Sequence, residues 1–380
     1  MKITVLCSDV SGNAAGRAFL LARLLQPLGD VQIVGPCHGH EVWSPIADAG
    51  IPCRTAPGTR LPAFSASMRA LLREADGDLL YASKPRLGSA GVGYLARIRR
   101  RRPLLLDIDD WETGFFLRGG FWGVVGRSAH LGNPRGLPWT WLMERLAPLA
   151  DGITVASRFL QRRFGGVLLP HVRDTDAWKP RDADPGEARR RLGVTGERVV
   201  MFLGTPHPYK GLDDLADAVG RLARRDVALA VVGVDPRDGE TERRLRDRVP
   251  DVRVIRQIPF DEVPAFLEAA DVVAVPQRDT SDTRGQVPAK LFDAMALGRP
   301  LVSTRVSMIP EIVESCGVLV PPGDAEALAR GLAQLLDHPA EAAAMGQRAR
   351  ARAVERYSFA AARAALFPAV ERALARRPPR

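Results

Sequence analysis

The alternation of short apolar runs with amphipathic helical patterns constrains the fold more than any other feature, and the chain shows it twice. Before residue 172, the apolar runs cover residues 3–8, 31–36, 78–83, 103–109, 152–157 and 167–171. After residue 198, they cover residues 199–204, 227–233, 252–258, 272–276, 300–304 and 317–321. Strands that alternate with helices pair in parallel through right-handed crossovers. We therefore predict an α/β protein with two tandem doubly wound parallel sheets.

The break between the two series of strands predicts the domain boundary. A chain of 380 residues is too long for one ordinary core, since domains of about 100–200 residues are the norm. Prolines and charged residues interrupt the alternation over 172–198 and indicate a linker there. We predict domains at 1–180 and 181–358, followed by a C-terminal helical segment at 359–380.

The net charge by itself excludes few classes of partner. The chain has 54 basic and 44 acidic residues and a formal net charge of +10, but only five of the basic residues are lysines. This arginine bias is typical of GC-rich coding, and the basic residues do not interleave with aromatic ones. We therefore predict no nucleic-acid partner. A net positive charge favours anionic substrates or an anionic membrane face.

The cysteines and the apolar segments indicate the compartment. Cys7, Cys37, Cys53 and Cys316 lack the spacing of metal ligands, so we predict reduced thiols in a cytoplasmic protein. The sequence contains no run of about 18 uncharged apolar residues and no signal-peptide architecture at its N-terminus. Peripheral contact with the inner face of the membrane stays open.

The stretch 278–300 contains a helix start that breaks local rules. The pattern predicts a helix from Val287, with Pro288 in its first turn. Valine cannot cap a helix, and the cations Lys290 and Arg284 lie near the positive end of the macrodipole. A bound anion would satisfy the free N–H groups, the dipole and both cations. We interpret this start as a phosphate-binding site.

Two more positions extend this hypothesis. Asp293 lies three residues after Lys290 on the same helical face, where it could bind ribose hydroxyls. A surface ion pair between the two residues is the alternative. Lys210 and Gly211 follow the strand-like run that ends at Gly204. Ligands bind at the carboxyl ends of parallel strands, so we expect Lys210 and Lys290 to meet at one pyrophosphate.

The strand ends of the first half carry further candidates. Gly12 follows the first strand, in a turn that is either close to a ligand or simply tight. Lys84, one of the few lysines, follows another strand, and Asp109 and Asp110 follow the next. We predict that these three contact substrate. The spacing of Asp107 and Asp109 leaves a divalent-metal site as an alternative, although we predict none.

Residues 114–141 are aromatic, Gly-rich and basic without clean periodicity. This composition is consistent with three alternatives. The segment is a plain loop over the core, a lid over the acceptor, or a patch at a membrane interface with Phe, Trp and Arg at headgroup depth.

The second half resembles the retaining GT-B glycosyltransferases of the large family 4, which includes sucrose synthase and bacterial mannosyltransferases. The matching pieces are Gly204 through Gly211, ADVVAVP at 270–276 and KLFDAMALGRPLVST at 290–304. The resemblance implies two Rossmann-like domains that face each other across a cleft, with the acceptor bound by the N-terminal domain and the donor by the C-terminal one. It also implies a C-terminal helix that crosses back to the first domain.

The resemblance assigns roles to individual residues. Lys210 would contact the donor diphosphate, and Asp293 would bind the ribose where the family commonly has Glu. Lys290, with Leu291 beside it, would support the phosphates. Asp109 stands where the family has a histidine at a strand end of the N-terminal domain.

The chain departs from the family at two donor positions. Thr205 replaces the arginine that usually follows the glycine, and Arg284 is the candidate substitute for that cation. Gly285 replaces the first acid of the Glu-x7-Glu pattern. Asp279 or Asp282 would then hold the hydroxyls of the donor sugar.

The function implied by the resemblance is that of a hexosyltransferase in glycan or glycoconjugate biosynthesis. It would move a sugar from a UDP- or GDP-linked donor to a hydroxyl acceptor, with retention and without a metal or other cofactor. The two lysines would stabilise the leaving group, and Lys84, Asp109 and Asp110 would orient sugar or acceptor. The alternatives are a UDP-sugar epimerase, an inactive nucleotide-sugar binding protein, and a metal-dependent transferase. The acceptor class and the oligomeric state are not predicted.

Overall fold

The computed structural model describes residues 1–47, 50–117, 126, 130–180, 186–235, 238–281 and 283–376. The chain divides into two compact units. The first consists of Met1–Pro170, Arg284–Gln286 and Ala362–Arg380, and the second of His171–Thr283 and Val287–Ala361. The chain therefore first crosses from the first unit to the second after Pro170. The sequence pattern places this boundary at residue 180.

The first unit is built on a seven-stranded parallel sheet with the strand order β3-β2-β1-β4-β5-β6-β7. The strands are β1 Lys2–Leu6, β2 Asp30–Cys37, β3 Cys53–Pro57, β4 Leu79–Ser83, β5 Leu104–Ile108, β6 Gly152–Val155 and β7 Val167–Leu168. The described helices are Ala14–Leu25, Ser44–Ala47, Phe64–Glu74, Val92–Arg100, Leu137–Arg145 and Arg158–Phe164, with shorter turns at Gln26–Leu28, Leu87–Gly91, Glu112–Phe116 and Ala147–Leu149. Every residue of β4 and β5 is buried, as expected for a parallel sheet covered on both faces.

The second unit is built on a six-stranded parallel sheet with the order β10-β9-β8-β11-β12-β13. The strands are β8 Arg198–Leu203, β9 Val227–Val234, β10 Arg253–Arg256, β11 Val272–Val275, β12 Leu301–Thr304 and β13 Val318–Val320. The described helices are Gly186–Leu192, Leu212–Leu222, Gly239–Arg248, Val263–Glu268, Ala289–Ala296, Ile309–Val313, Ala325–Asp337 and Pro339–Arg356, with turns at Pro208–Lys210, Phe260–Glu262 and Thr283–Gly285. The prediction of two doubly wound parallel sheets is confirmed.

The last helix, Phe359–Ala375, begins in the second unit and belongs to the first from Ala362 onward. The guanidinium of Arg363 donates hydrogen bonds to the backbone oxygens of Arg23 and Leu24, at 3.3 and 3.1 Å. Leu366 on the same helix is fully buried. The C-terminal helix therefore forms part of the core of the first unit. No described helix combines the length and the apolar character that crossing a bilayer requires.

The strand β3 has no counterpart among the predicted strands. It lies at the edge of the first sheet, and only Ala56 among its residues is buried, while Arg54 and Thr55 are exposed. An edge strand with one covered position lacks the apolar run that identifies the inner strands. The pattern therefore fails at this strand for a physical reason.

Candidate functional site

A glycine turn at the end of β8 forms the centre of the candidate site in the second unit. Gly204 has a φ of +103°, which side-chain-bearing residues rarely adopt, and its N–H donates to the Val232 oxygen at 2.7 Å. A Cβ built on Gly233 would lie 3.0 Å from the Cα of Gly204. The two glycines thus allow the ends of β8 and β9 to approach closely at the edge of the sheet where ligands bind.

Lys210 follows this turn, at the end of the 3₁₀ segment Pro208–Lys210. Its ammonium donates a 2.6 Å hydrogen bond to the backbone oxygen of Thr205. The next residue, Gly211, has a φ of +70°, and a Cβ there would lie only 1.8 Å from the Pro276 oxygen. Glycine is therefore required at this position. Its backbone conformation fixes the position of the neighbouring residue, Lys210.

Lys290 approaches the same turn from the helix Ala289–Ala296. Its side chain is buried, and its ammonium lies 3.8 Å from the centroid of the Phe202 ring and 3.9 Å from a Cβ built on Gly204. Burial lowers the pKa of Lys290 well below its usual value, and repulsion from Lys210 lowers it further. Among the described residues, no carboxylate forms an ion pair with Lys290. The turn after β8 is thus approached by two lysines, one of them buried.

The helix start differs in one respect from the prediction. The helix begins at Ala289 rather than Val287, because Pro288 keeps an extended backbone with a ψ of 124° and occupies the N-cap position. No side chain caps this start, and its first turn contains no acidic residue. The uncapped and cationic character inferred from the sequence is therefore present, two residues later, and it suits an anion.

Asp293 lies one turn along the same helix, buried and paired with Arg173, whose Nε donates to its Oδ1. Burial raises the pKa of Asp293, and the attraction of Arg173 opposes that rise. The Arg173 guanidinium lies 5.3 Å from the ring centroid of Trp178 and 5.6 Å from that of Phe260. The alternative of an exposed ion pair between Asp293 and Lys290 is wrong, because both side chains are buried and Asp293 pairs with Arg173.

The first unit holds a compact charged cluster at the ends of β4 and β5. The ammonium of Lys84 lies 2.8 Å from Asp109 Oδ1, 2.7 Å from Asp110 Oδ2 and 2.8 Å from Glu112 Oε1. Arg86 also pairs with Glu112. These are the predicted residues Lys84, Asp109 and Asp110, together with two that sequence reasoning missed.

The cluster shifts the pKa values of its members. Burial opposes the charge on Lys84, but the three carboxylates outweigh it and hold the pKa of Lys84 well above its usual value. Although burial alone would raise it, Arg86 and Lys84 lower the pKa of Glu112 to about 2. For Asp110, burial dominates and raises the pKa in spite of Lys84. Lys84 therefore acts as the internal counter-ion of this cluster.

The carboxylates of the cluster could hold a metal, but the pair Asp107 and Asp109 could not. One oxygen from each of Asp109, Asp110 and Glu112 lies within 4.8 Å of the others. Asp107 is fully buried, and Arg17 donates to both of its oxygens at 2.8 and 2.9 Å. Asp107 is therefore occupied by a structural ion pair, and the other three carboxylates already share the Lys84 ammonium.

The remaining predicted residues lie in different surroundings. Gly12 has an ordinary φ, and a Cβ there would meet Asp9 only at 3.9 Å, so space does not demand glycine. Arg284 is exposed and groups with the first unit, and Leu291 is fully buried in the helix that carries Lys290. Asp282 lies outside the described residues, as do positions 118–125 and 127–129 of the segment 114–141.

Sequence reasoning also missed Arg173. It stands 120 positions before its partner Asp293, and no motif marks it. Its position at the end of the last apolar run of the first half is the one local signal that could have drawn attention to it.

Known proteins resemble the chain in sequence and in fold. The family model described as "Glycosyl transferases group 1" matches residues 197–338. The GDP-mannose-dependent α-(1-6)-phosphatidylinositol monomannoside mannosyltransferase of Mycolicibacterium smegmatis is 32% identical over 317 residues, which cover 78% of this chain and 77% of that protein. The MMP α-(1→4)-mannosyltransferase of Mycolicibacterium hassiacum is 32% identical over 55% of this chain and 49% of its own length. The crystal structure of Anabaena Alr3699/HepE with UDP-glucose superposes on this chain with a TM-score of 0.76 at 20% sequence identity. The superposition covers 98% of this chain and 99% of HepE, so the two proteins share a fold.

Proposed function

The chain belongs to the group 1 glycosyltransferases, with the GT-B fold and the family 4 type of sequence, and on this premise we propose that it moves a sugar from a nucleoside-diphosphate donor to a hydroxyl acceptor. The observation that carries the proposal is the meeting of Lys210 and Lys290 at the glycine turn after β8. A donor diphosphate would supply the negative charge that Lys290 lacks among the described residues.

The two lysines would act on the leaving group. When the bond between sugar and phosphate breaks, negative charge develops on the departing diphosphate. A preplaced hydrogen-bond donor or cation in a dry site stabilises such charge by about 3–4 kcal/mol. Lys290 is buried, so its effect is less screened by water than that of an exposed lysine would be.

Asp293 would bind the ribose of the donor. Arg173 holds its Oδ1, and no described group bonds to its Oδ2. The second oxygen can therefore accept a hydrogen bond from a ribose hydroxyl. HepE was crystallised with UDP-glucose, and the mycobacterial relative is named for GDP-mannose. Uridine and guanosine diphosphates are thus the first donors to test.

We further propose that the reaction needs no divalent metal and no other cofactor. Lys210 and Lys290 would neutralise the diphosphate, and the Lys84 ammonium already lies between the carboxylates of Asp109, Asp110 and Glu112. The bond between the anomeric carbon and the diphosphate would break while the acceptor oxygen bonds to that carbon on the same face. The departing phosphate would take the proton of the acceptor hydroxyl, and the configuration of the sugar would be retained. Lys84, Asp109 and Asp110 remain our candidates for orienting acceptor or sugar.

The test compares Lys210→Met and Lys290→Met with Lys179→Met, a control in which an exposed lysine of the same unit is removed. Wild-type protein should show a higher unfolding temperature with UDP or GDP and should release nucleoside diphosphate from a nucleotide sugar. Each site variant should lower turnover by about 100-fold or more, while the control keeps it. Chelation with EDTA should leave turnover unchanged.

Two results would contradict the proposal. If both site variants turn over as fast as the control, the two lysines do not act on the diphosphate. Binding of nucleotide sugars with no product on any hydroxyl acceptor would leave a binding protein in place of an enzyme.

A further inference from the structure

The backbone oxygen of Ala296, at the end of the helix that carries Lys290 and Asp293, lacks its usual helical donor. In an α-helix the N–H four residues further along would donate to this oxygen, but Pro300 has no N–H. The Arg350 guanidinium donates to it instead, with its Nη1 2.6 Å from the Ala296 oxygen. A cation also suits the negative end of the helix macrodipole. Arg350 therefore caps the C-terminal end of the helix that carries two residues of the candidate site.

Arg350 belongs to the helix Pro339–Arg356, which approaches this helix end closely. Gly346 stands four residues before Arg350, on the same helical face. A Cβ built on Gly346 would lie 2.1 Å from the Gly298 oxygen, so only glycine allows the two backbones to meet here. This close contact fixes the point from which the Arg350 side chain extends.

The same guanidinium holds a second segment. Its Nη1 also donates to the Trp178 oxygen, and its Nη2 donates to the Thr175 oxygen, each at 2.6 Å. This segment is a compact turn, which the Trp178 N–H closes by donating to the Asp174 oxygen at 2.7 Å. Among the residues that the structure describes, no carboxylate forms an ion pair with Arg350. The guanidinium is therefore directed at the backbone oxygens of two segments, and its planar fork sets their separation.

The two segments that Arg350 joins carry the two partners of one buried ion pair. Arg173 stands just before the turn, and Asp293 lies three residues before the last residue of the helix. The Arg173 guanidinium lies 5.3 Å from the ring centroid of Trp178, whose backbone oxygen Arg350 holds. A change in the separation of the two segments would therefore displace Arg173 relative to Asp293.

We propose that Arg350 is a positioning residue for recognition of the donor ribose. It fixes the distance between Arg173 and Asp293, and through that pair it orients the Asp293 Oδ2 toward a ribose hydroxyl. The inference rests on the proposed function and deepens it, because it names a residue that determines ribose recognition at the same site. Arg350 itself would contact neither the ribose nor the diphosphate.

Arg352 offers a matched control on the same helix. Its guanidinium donates to the backbone oxygens of Ile312 and Glu311, both at 2.8 Å. These oxygens belong to the helix Ile309–Val313, which carries no residue of the candidate site. Replacing either arginine by methionine removes a charge and several hydrogen bonds to backbone oxygens, so both variants should lose stability. Only Arg350→Met should change the recognition of ribose.

The experiment measures by calorimetry the affinity of the full-length protein for UDP and GDP and for their 2′-deoxy and 3′-deoxy forms. The wild type should bind at least one deoxy form about tenfold or more weakly than the parent nucleotide, because a hydrogen bond to a carboxylate is lost. Arg350→Met should lower this ratio of affinities by about threefold or more, since the parent nucleotide loses the same hydrogen bond. Asp293→Asn should lower the ratio as well, and Arg352→Met should keep it.

Arg350→Lys carries the test if Arg350→Met does not fold. Lysine keeps the charge but lacks the planar fork that joins the two segments, so this variant should also lower the ratio, whereas Arg352→Lys should not. If Asp293→Asn lowers the ratio and the folded Arg350 variant matches its Arg352 control, the inference about Arg350 is overturned and the ribose site stands. Equal affinity of the wild type for parent and deoxy forms would overturn both.

The diphosphate site is tested separately by Lys290→Met, which should weaken the parent and deoxy nucleotides by the same factor. If Lys290→Met leaves these affinities unchanged, the assignment of the diphosphate fails, and the ratio of affinities still decides the role of Arg350.

Discussion

Lys290 lies in a buried position beside a second lysine, Lys210. Burial and repulsion from Lys210 both lower its pKa, so the lysine loses its proton at a lower pH than an exposed lysine would. A bound diphosphate would raise the pKa of Lys290 again. We therefore expect donor binding to take up protons, which calorimetric titrations with UDP or GDP in buffers of different ionisation enthalpy can measure.

The sign of the pH dependence follows from the same shift. The contribution of Lys290 to donor affinity should be complete below the lowered pKa of the free protein, and it should disappear as the pH rises through the pKa of the complex. Lys290→Met should abolish the proton uptake, and Lys179→Met should preserve it. A binding enthalpy of the wild type that does not depend on the buffer at any pH up to the usual pKa of a lysine would contradict this prediction.

Arg173 and Asp293 form a buried pair in which each partner compensates the charge of the other. Removing one partner strands a buried charge, so Arg173→Met should lower the free energy of unfolding by about 3–5 kcal/mol. The double variant Arg173→Met/Asp293→Leu should recover most of this loss. Urea denaturation of the four proteins of the double-mutant cycle measures the coupling between the two residues. Additive losses would show that Arg173 does not act through Asp293.

The residues of the candidate site differ in how far the sequence reveals them. Lysines are rare in this chain, and Lys210 and Lys290 each follow a strand of the same sheet, so their meeting at one turn could be predicted. The pairing of Asp293 with Arg173 could not, because it joins positions 120 residues apart without a motif. Long-range pairs of this kind depend on packing that no local pattern records.

The backbone of Gly211 positions both the start of the helix Leu212–Leu222 and the neighbouring Lys210 of the candidate site. Its φ of +70° and the short distance of 1.8 Å from a Cβ to the Pro276 oxygen both require glycine. Gly193 has a similar φ of +67° but nothing within 4 Å of its Cβ. Gly193→Ala should therefore cost about 1 kcal/mol from the left-handed backbone alone, and Gly211→Ala clearly more, because the backbone must shift.

The two glycine variants should also differ in function. A shifted backbone at residue 211 displaces Lys210, so Gly211→Ala should lower turnover, and Gly193→Ala should leave it unchanged. Chemical denaturation and the rate of nucleoside-diphosphate release measure the two effects. Equal losses of stability in both variants would show that the contact with Pro276 carries no cost.

Element boundaries follow the sequence wherever a strand or helix has its own apolar pattern. The inner strands β4, β5 and β11 are buried along their length and are visible as apolar runs, but β3 is an edge strand with one buried residue and has no such run. The start of the helix Ala289–Ala296 shifts by two residues, since the backbone of Pro288 is extended. The residue at which a helix begins is therefore harder to predict where the backbone angles of a single residue decide it.

The two-sheet organisation of the whole molecule could be predicted because the same alternation occurs twice and is local in sequence. The assignment of the segments 284–286 and 362–380 to the first unit could not be derived from that pattern, since it depends on contacts between distant parts of the chain. The family resemblance supplied the return of the last helix. Contacts between distant parts of the chain can thus be inferred from related proteins or observed in the structure, but the periodicity of the sequence does not predict them.

The last helix provides a test of the two units as separate cores. Leu366 on this helix and Leu332 on the helix Ala325–Asp337 are both fully buried, the first in the unit of β1–β7 and the second in the unit of β8–β13. Replacing either by alanine should cost about 2–5 kcal/mol, because a cavity remains. Chains with two cores need not unfold in one step. Calorimetric scans should therefore show that each variant lowers a different transition.

Ligand binding identifies which transition belongs to which unit. Since the proposed donor site lies in the second unit, UDP or GDP should raise the transition that Leu332→Ala lowers and leave the other in place. Leu366→Ala should lower only the transition that does not respond to nucleotide, although residue 366 follows the second unit in the sequence. A single transition that both substitutions lower equally would show that the two units unfold as one. A nucleotide-responsive transition lowered by Leu366→Ala would place the last helix with the donor-binding core instead.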